Sequence, residues 1–196
     1  MGSEGVAGRE LPAALEPVLD DFADHLRDAR SRSEATVRAY RSDVRALLAR
    51  LSAEPGGPAV AGDLAGAFTL PALRGWLSEQ VSAGAARSSI SRRVAAARSF
   101  STWASRAGLI PADIAARLDA PRPHRGLPEV LRAGQAADVI RTAELGSAEG
   151  DPIAVRDQLV VELLYSCGIR VAEMCGLDVD DVDRERRLLR VIGKGD

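Results

Sequence analysis

Two short segments carry residues whose types and spacing suit chemistry on an anion. Arg170-Val-Ala-Glu173 follows Gly168, and Gly193-Lys194-Gly195 holds the chain's one lysine, set against 25 arginines. A guanidinium is planar, stays protonated, and offers parallel N–H donors that match two oxygens of a phosphate or carboxylate. Arg170 is expected at a helix start just past a glycine, where backbone N–H groups and the helix dipole also favour an anion. Glu173, three residues on, shares that helical face and can orient the guanidinium. An ammonium can give up a proton when its pKa is lowered, which a guanidinium cannot, so Lys194 can do acid–base work. Its glycine neighbours allow a tight, mobile turn. Each residue also has a plainer reading: a surface arginine in a polar turn, an i,i+3 ion pair worth about 0.3 kcal/mol, and a solvated turn lysine.

A second set of polar residues sits on two helices. The formal net charge is −2, but it is unevenly spread: residues 27–106 hold 13 Arg against 6 Asp or Glu. Arg38, Arg41 and Arg45 lie on one helix, opposite its apolar stripe. Arg87, Ser88, Ser89, Arg92, Arg93 and Arg98 lie on another. Such clusters can neutralise several phosphates of a nucleic acid, or be no more than a solvated basic surface.

The elements that must position these residues follow from apolar spacing. Leu15, Val18, Leu19, Phe22, Ala23 and Leu26 predict a helix within 11–30. Val37, Tyr40, Val44, Leu47, Leu48 and Leu51 predict a second, with Ser33 as its N-cap. Residues 52–66, with Pro55-Gly-Gly-Pro58, read as loop. Thr69 caps a third helix, Pro71 lies in its first turn, and Leu73, Trp76, Leu77 and Val81 face inward. The fourth helix spans about 86–107, turns Ile90, Val94, Ala97, Phe100, Thr102, Trp103 and Ala104 mainly inward, and stops at Gly108. Trp76 and Trp103 read as core rather than stacking platforms.

Pro121, Pro123 and Pro128 stiffen an extended path and mark a boundary. The expected organisation is a disordered tail over 1–10, a helical domain over 11–119, a Pro-rich linker over 120–128 and a second module over 129–196. In that module Asp151-Pro152 starts a helix that buries Ile153, Val155, Leu159, Val160, Leu163, Leu164 and Tyr165. Residues 187–192 predict a strand with no visible partner, and 193–196 the start of a hairpin turn. An unpaired strand is not a finished sheet, so the chain reads as truncated. Cys167 and Cys175 are expected as buried free thiols in a reducing, cytoplasmic setting. No stretch approaches about 18 uninterrupted apolar residues, so no membrane span is expected.

Three segments together resemble the Xer branch of the tyrosine recombinase (phage-integrase-like) family. They are Ser33-Glu-Ala-Thr-Val-Arg-Ala-Tyr-Arg-Ser-Asp43 with Arg87-Ser-Ser-Ile-Ser-Arg-Arg-Val-Ala-Ala-Ala-Arg-Ser-Phe100; the linker ending Gly126-Leu-Pro128; and Leu163-Leu-Tyr-Ser-Cys-Gly-Ile-Arg-Val-Ala-Glu-Met-Cys-Gly-Leu177 with Val191-Ile-Gly-Lys-Gly-Asp196. The implied fold is mainly α. A four-helix SAM-like core-binding domain precedes the first part of an α+β catalytic domain, with an incomplete β-hairpin.

The resemblance implies strand cleavage and rejoining through a 3′-phosphotyrosine, with no metal or nucleotide cofactor and no small-molecule ligand. Arg170 matches the first catalytic arginine, Glu173 supports it, and Lys194 matches the lysine that protonates the 5′-oxygen leaving group. Arg38, Arg41, Arg45, Arg87, Ser88, Ser89, Arg92, Arg93 and Arg98 become the candidate contacts to double-stranded DNA. The implied assembly is a tetramer on two duplexes with a second Xer recombinase, and the implied role is chromosome-dimer resolution. The family's His-x-x-Arg pair and late tyrosine nucleophile are absent from the 196 residues. Neither His25 nor His124 has an arginine three positions on, and Tyr40 and Tyr165 both precede Arg170. The chain is therefore expected to bind DNA without cleaving it. The competing readings are a non-catalytic helical DNA-binding module, a helical protein-interaction bundle, and a gene fragment with no stable activity.

Overall fold

The computed structural model describes residues 10–28, 32–121 and 130–193. All but the last residue of the expected tail, most of the Pro-rich linker and the turn carrying Lys194 lie outside the described residues. The chain divides into two compact units, Met1–Gly126 and Leu127–Asp196.

The first unit is helical. A 3-10 turn, Ala13–Leu15, leads into α1 (Glu16–Asp28), which buries Val18, Leu19, Phe22, Ala23 and Leu26. Helix α2 (Glu34–Ser52) buries Val37, Val44, Leu47, Leu48 and Leu51. Ser33 holds the N-cap position, but its hydroxyl pairs with the Thr36 hydroxyl at 3.0 Å rather than with a backbone N–H. The segment expected as loop contains a further helical turn, α3 (Leu64–Ala67), which drives Leu64 and Phe68 into the core. The Asp63 carboxylate fastens its approach by accepting the N–H groups of Ala59 and Val60 at 3.0 and 3.1 Å. Those two donors hold the Asp63 carboxyl below its usual pKa.

Helix α4 (Leu70–Ser82) starts as expected. The Thr69 hydroxyl accepts the Ala72 N–H, and Pro71 lies in the first turn. Its inward face differs from expectation: Gln80 is buried and Val81 is exposed. Helix α5 (Arg87–Arg106) buries Ile90, Val94, Ala96, Ala97, Phe100 and Ala104. It ends where Gly108 takes φ +75°, a left-handed turn that glycine adopts without a Cβ penalty. All three phenylalanines meet at the centre. Phe22 lies edge-on to Phe100 at 5.3 Å between ring centroids, and Phe68 and Trp103 each lie 5.6 Å from Phe100. Offset and edge-on rings suit the aromatic quadrupole.

The second unit pairs α6 (Ala133–Ser147) with α7 (Pro152–Glu162). The Asp151 carboxylate caps α7 by accepting the Ala154 N–H at 3.1 Å. Helix α7 runs on as a wider π turn, Leu163–Cys167, and breaks at Gly168, where φ is +62°. A short α8 (Val171–Met174) follows. Strand β1 (Val182–Asp183) then pairs antiparallel with β2 (Leu188–Leu189), Val182 opposite Leu189 and Asp183 opposite Leu188. The expected strand at 187–192 is therefore a two-residue ladder, and its partner lies upstream.

The burial expected along α7 is not found. Ile153, Val155, Leu159 and Tyr165 are exposed, and Val160, Leu163 and Leu164 are half-buried. A helix that is apolar on several sides needs neighbours on several sides, and within this unit α7 packs chiefly on α6. Cys167 and Cys175 are likewise exposed free thiols, not buried ones. Among the described residues no helix is long and apolar enough to cross a membrane.

Candidate phosphate and nucleic-acid sites

In the second unit, the left-handed Gly168 ends the π turn, and two residues later Arg170 becomes the N-cap of α8, with φ −75° and ψ 151°. Glu173 sits at the third position of that helix, and its carboxylate reaches back. It accepts the Arg170 backbone N–H on one oxygen at 2.7 Å and the Arg170 guanidinium on the other at 2.5 Å. The backbone N–H, then the guanidinium, hold the Glu173 carboxyl below its usual pKa. The arginine side chain is 77% exposed and that of Glu173 14%. One edge of the guanidinium is thus tied down, and the other has no partner among the described residues. An open edge with parallel donors is what a phosphate oxygen pair requires.

Two parts of the expectation change. Helix α8 has only four residues, so its dipole adds little to anion binding. Of the backbone N–H groups at this helix start, that of Arg170 is already taken by Glu173. Another arginine of this unit, Arg190, is bound to Asp181 by two N–H groups at 2.9 and 3.0 Å. Lys194 lies outside the described residues. Among the described residues no group of three or more His, Cys, Asp or Glu is arranged to hold a metal ion.

In the first unit, the candidate DNA-contact residues fall into distinct environments. Arg38 and Arg87 are exposed and have no ion-pair partner among the described residues; Ser88 is exposed and Ser89 half-buried. Arg41 is bound to Asp20 at 2.7 Å and Glu16 at 3.5 Å, and Arg45 to Glu16 at 2.5 Å. Their charge is therefore compensated by acids of α1. Exposed pairs of this kind are worth at most about 1 kcal/mol, so a phosphate can compete for the arginines. Arg98 donates to the Leu118 carbonyl, which ties it to the segment after α5.

Arg92 and Arg93 share one buried acid, Asp43 of α2. Sequence reading assigned no role to Asp43. A signal was present: Asp43 lies three residues after Tyr40 and four before Leu47, in phase with the inward stripe. An acid there demands a counter-charge.

The comparisons with known proteins agree with this layout. Residues 19–108 match the phage integrase N-terminal SAM-like domain, and residues 129–196 match the phage integrase family. The chain belongs to the phage integrase family of tyrosine recombinases. It is 51% identical over 182 residues to the tyrosine recombinase XerC of Mycobacterium sp. (strain JLS), which covers 93% of this chain and 59% of that protein. It is 48% identical over 178 residues to the tyrosine recombinase XerC of Mycobacterium leprae (strain TN), covering 91% and 58%. The XerC of Mycobacterium tuberculosis (strain ATCC 25177 / H37Ra) is 48% identical over 181 residues, covering 92% and 58%. The chain thus spans a little under three fifths of the length of these relatives.

Proposed function

We propose that the protein serves site-specific DNA recombination by strand cleavage and rejoining through a 3′-phosphotyrosine. In this reading residues 11–119 grip double-stranded DNA, 120–128 link, and 129–196 begin the catalytic domain. Arg170 binds two non-bridging oxygens of the scissile phosphate and offsets the charge that builds there during attack. Glu173 fixes the guanidinium plane beforehand, so less rotamer freedom is lost on binding. Lys194 protonates the 5′-oxygen as it leaves. No cofactor is required, because the phosphotyrosine bond conserves the energy of the broken phosphodiester.

The observation that carries the reading is the half-tied Arg170 guanidinium, within the segment that matches the integrase family. The likeness to proteins named tyrosine recombinase XerC supports the recombinase reading. We further propose, on the resemblance to the Xer branch, that the role is chromosome-dimer resolution in the cytoplasm by a tetramer on two duplexes with a second recombinase. The 196 residues themselves hold no tyrosine after Arg170. They are expected to bind duplex DNA with steep salt dependence and to leave it uncut. Fluorescence anisotropy across a salt series tests the first part, and a nicked suicide duplex the second. Salt-insensitive binding would remove the phosphate-gripping role, and a covalent adduct would overturn the assignment of the missing nucleophile.

A further inference from the structure

Asp43 is the best-buried acid among the described residues, with its side chain 7% exposed. Burial pushes its pKa up, while Arg92 and Arg93 pull it down. The Arg92 NH1 lies 2.5 Å from Oδ2 and 3.4 Å from the Ala39 carbonyl oxygen. Arg93 reaches Oδ1 only through Nε, at 3.8 Å, and its buried NH1 finds no acceptor. One nitrogen of Arg92 therefore has two acceptors on α2, which fixes the plane of its guanidinium. The remaining N–H groups of Arg92 make no hydrogen bond among the described residues, and its side chain is 41% exposed.

We propose that Asp43 is a positioning residue for DNA binding: it anchors Arg92 across the seam of α2 and α5 with the unpaired edge of the guanidinium turned out to a backbone phosphate. The inference rests on reading this face as the DNA-gripping surface. A buried ion pair is weak evidence for stability, since apolar residues of similar volume often serve as well. It does fix geometry. One carboxylate beneath two arginines leaves the seam with a surplus positive charge while holding one guanidinium in register.

The sign of the effect separates this role from simple electrostatics. Asp43→Asn removes a negative charge near a polyanion, so charge alone predicts tighter binding. Positioning predicts weaker binding. The test uses the full chain and a fluorescein-labelled duplex of mixed sequence, with the parent, Asp43→Asn, Arg92→Ala and the double variant compared by anisotropy. Asp43→Asn is expected to weaken binding by roughly three- to tenfold, the scale of one charge-assisted contact. The double variant is expected to bind no more weakly than Arg92→Ala alone, because Asp43 acts only through Arg92. Circular dichroism melts check folding, and Asp43→Ser takes the place of Asp43→Asn if that chain does not fold. Unchanged or tighter binding, or losses that add in the double variant, would overturn the positioning role. Unchanged affinity in Arg92→Ala would instead remove the DNA-face reading, and this proposal with it.

Discussion

A single carboxylate, that of Glu173, accepts both the backbone N–H and the guanidinium of Arg170. Both donors favour the ionised form, so the folded-state pKa lies below the unfolded one. A depressed pKa contributes stability that is present above the unfolded value, about 4.3, and is lost as pH falls through the folded value. The Arg170 amide resonance should therefore titrate with a midpoint below the ordinary glutamate range. In Glu173→Gln that titration should vanish and the Arg170 amide should exchange faster with solvent. A midpoint at the ordinary value would show that the carboxylate does not hold this turn.

The arginines of α2 and α5 should not contribute equally to DNA binding. Arg38 and Arg87 are uncompensated among the described residues, so removing either loses a phosphate contact outright. Each alanine variant should weaken duplex binding and lower the slope of log K against log salt by roughly one. Arg41 is already paired with Asp20 and Glu16, and its removal should cost less. Glu16→Gln, which releases Arg45 and leaves Arg41 on Asp20 alone, should tighten binding. Salt titrations followed by anisotropy measure all four. A larger loss at Arg41 than at Arg38 would reverse the ranking.

The first unit's stability rests on its aromatic centre. Phe100 touches Phe22, Phe68 and Trp103 and is fully buried. Phe100→Ala should cost about 3–5 kcal/mol, combining lost transfer energy with an unfilled cavity. Val81→Ala, on the exposed side of α4, should stay within about 0.5 kcal/mol. Urea denaturation followed by far-ultraviolet circular dichroism separates the two. Equal midpoints would contradict the burial of Phe100.

The helices of the first unit were legible because their cores repeat at helical spacing and their ends carry specific chemistry. Thr69 with Pro71, and Asp151 with Pro152, mark helix starts by the same hydrogen-bonding logic in both units. Helix α3 was not legible, because Gly62 precedes and Gly66 interrupts a single turn whose helicity comes from burying Leu64 and Phe68. The Arg170–Glu173 pair was legible as an i,i+3 contact. Pairing of Arg41 with Asp20, and of Arg92 with Asp43, was not. Those partners are brought together only when α1, α2 and α5 pack. The exposure of α7 departs from its sequence pattern for a related reason: periodicity reports which residues are apolar, whereas burial depends on how many neighbours the fold supplies.

The same limit bears on the two cysteines. Their apolar sequence neighbourhood suggested buried thiols, yet Cys167 closes the π turn before Gly168 and Cys175 ends α8, both exposed. Thiol reactivity follows thiolate formation and access, and access is open at both sites. A neutral-pH titration of the native chain with an aromatic disulfide reagent should count both thiols at once, and denaturant should not raise the count. Serine at either position should change stability by no more than about 0.5 kcal/mol, as expected for an exposed side chain. A thiol that reacted only after unfolding would mean that its surroundings are packed. The local geometry that leaves Gly168 to present Arg170 would then need revision, because Cys167 adjoins that turn directly.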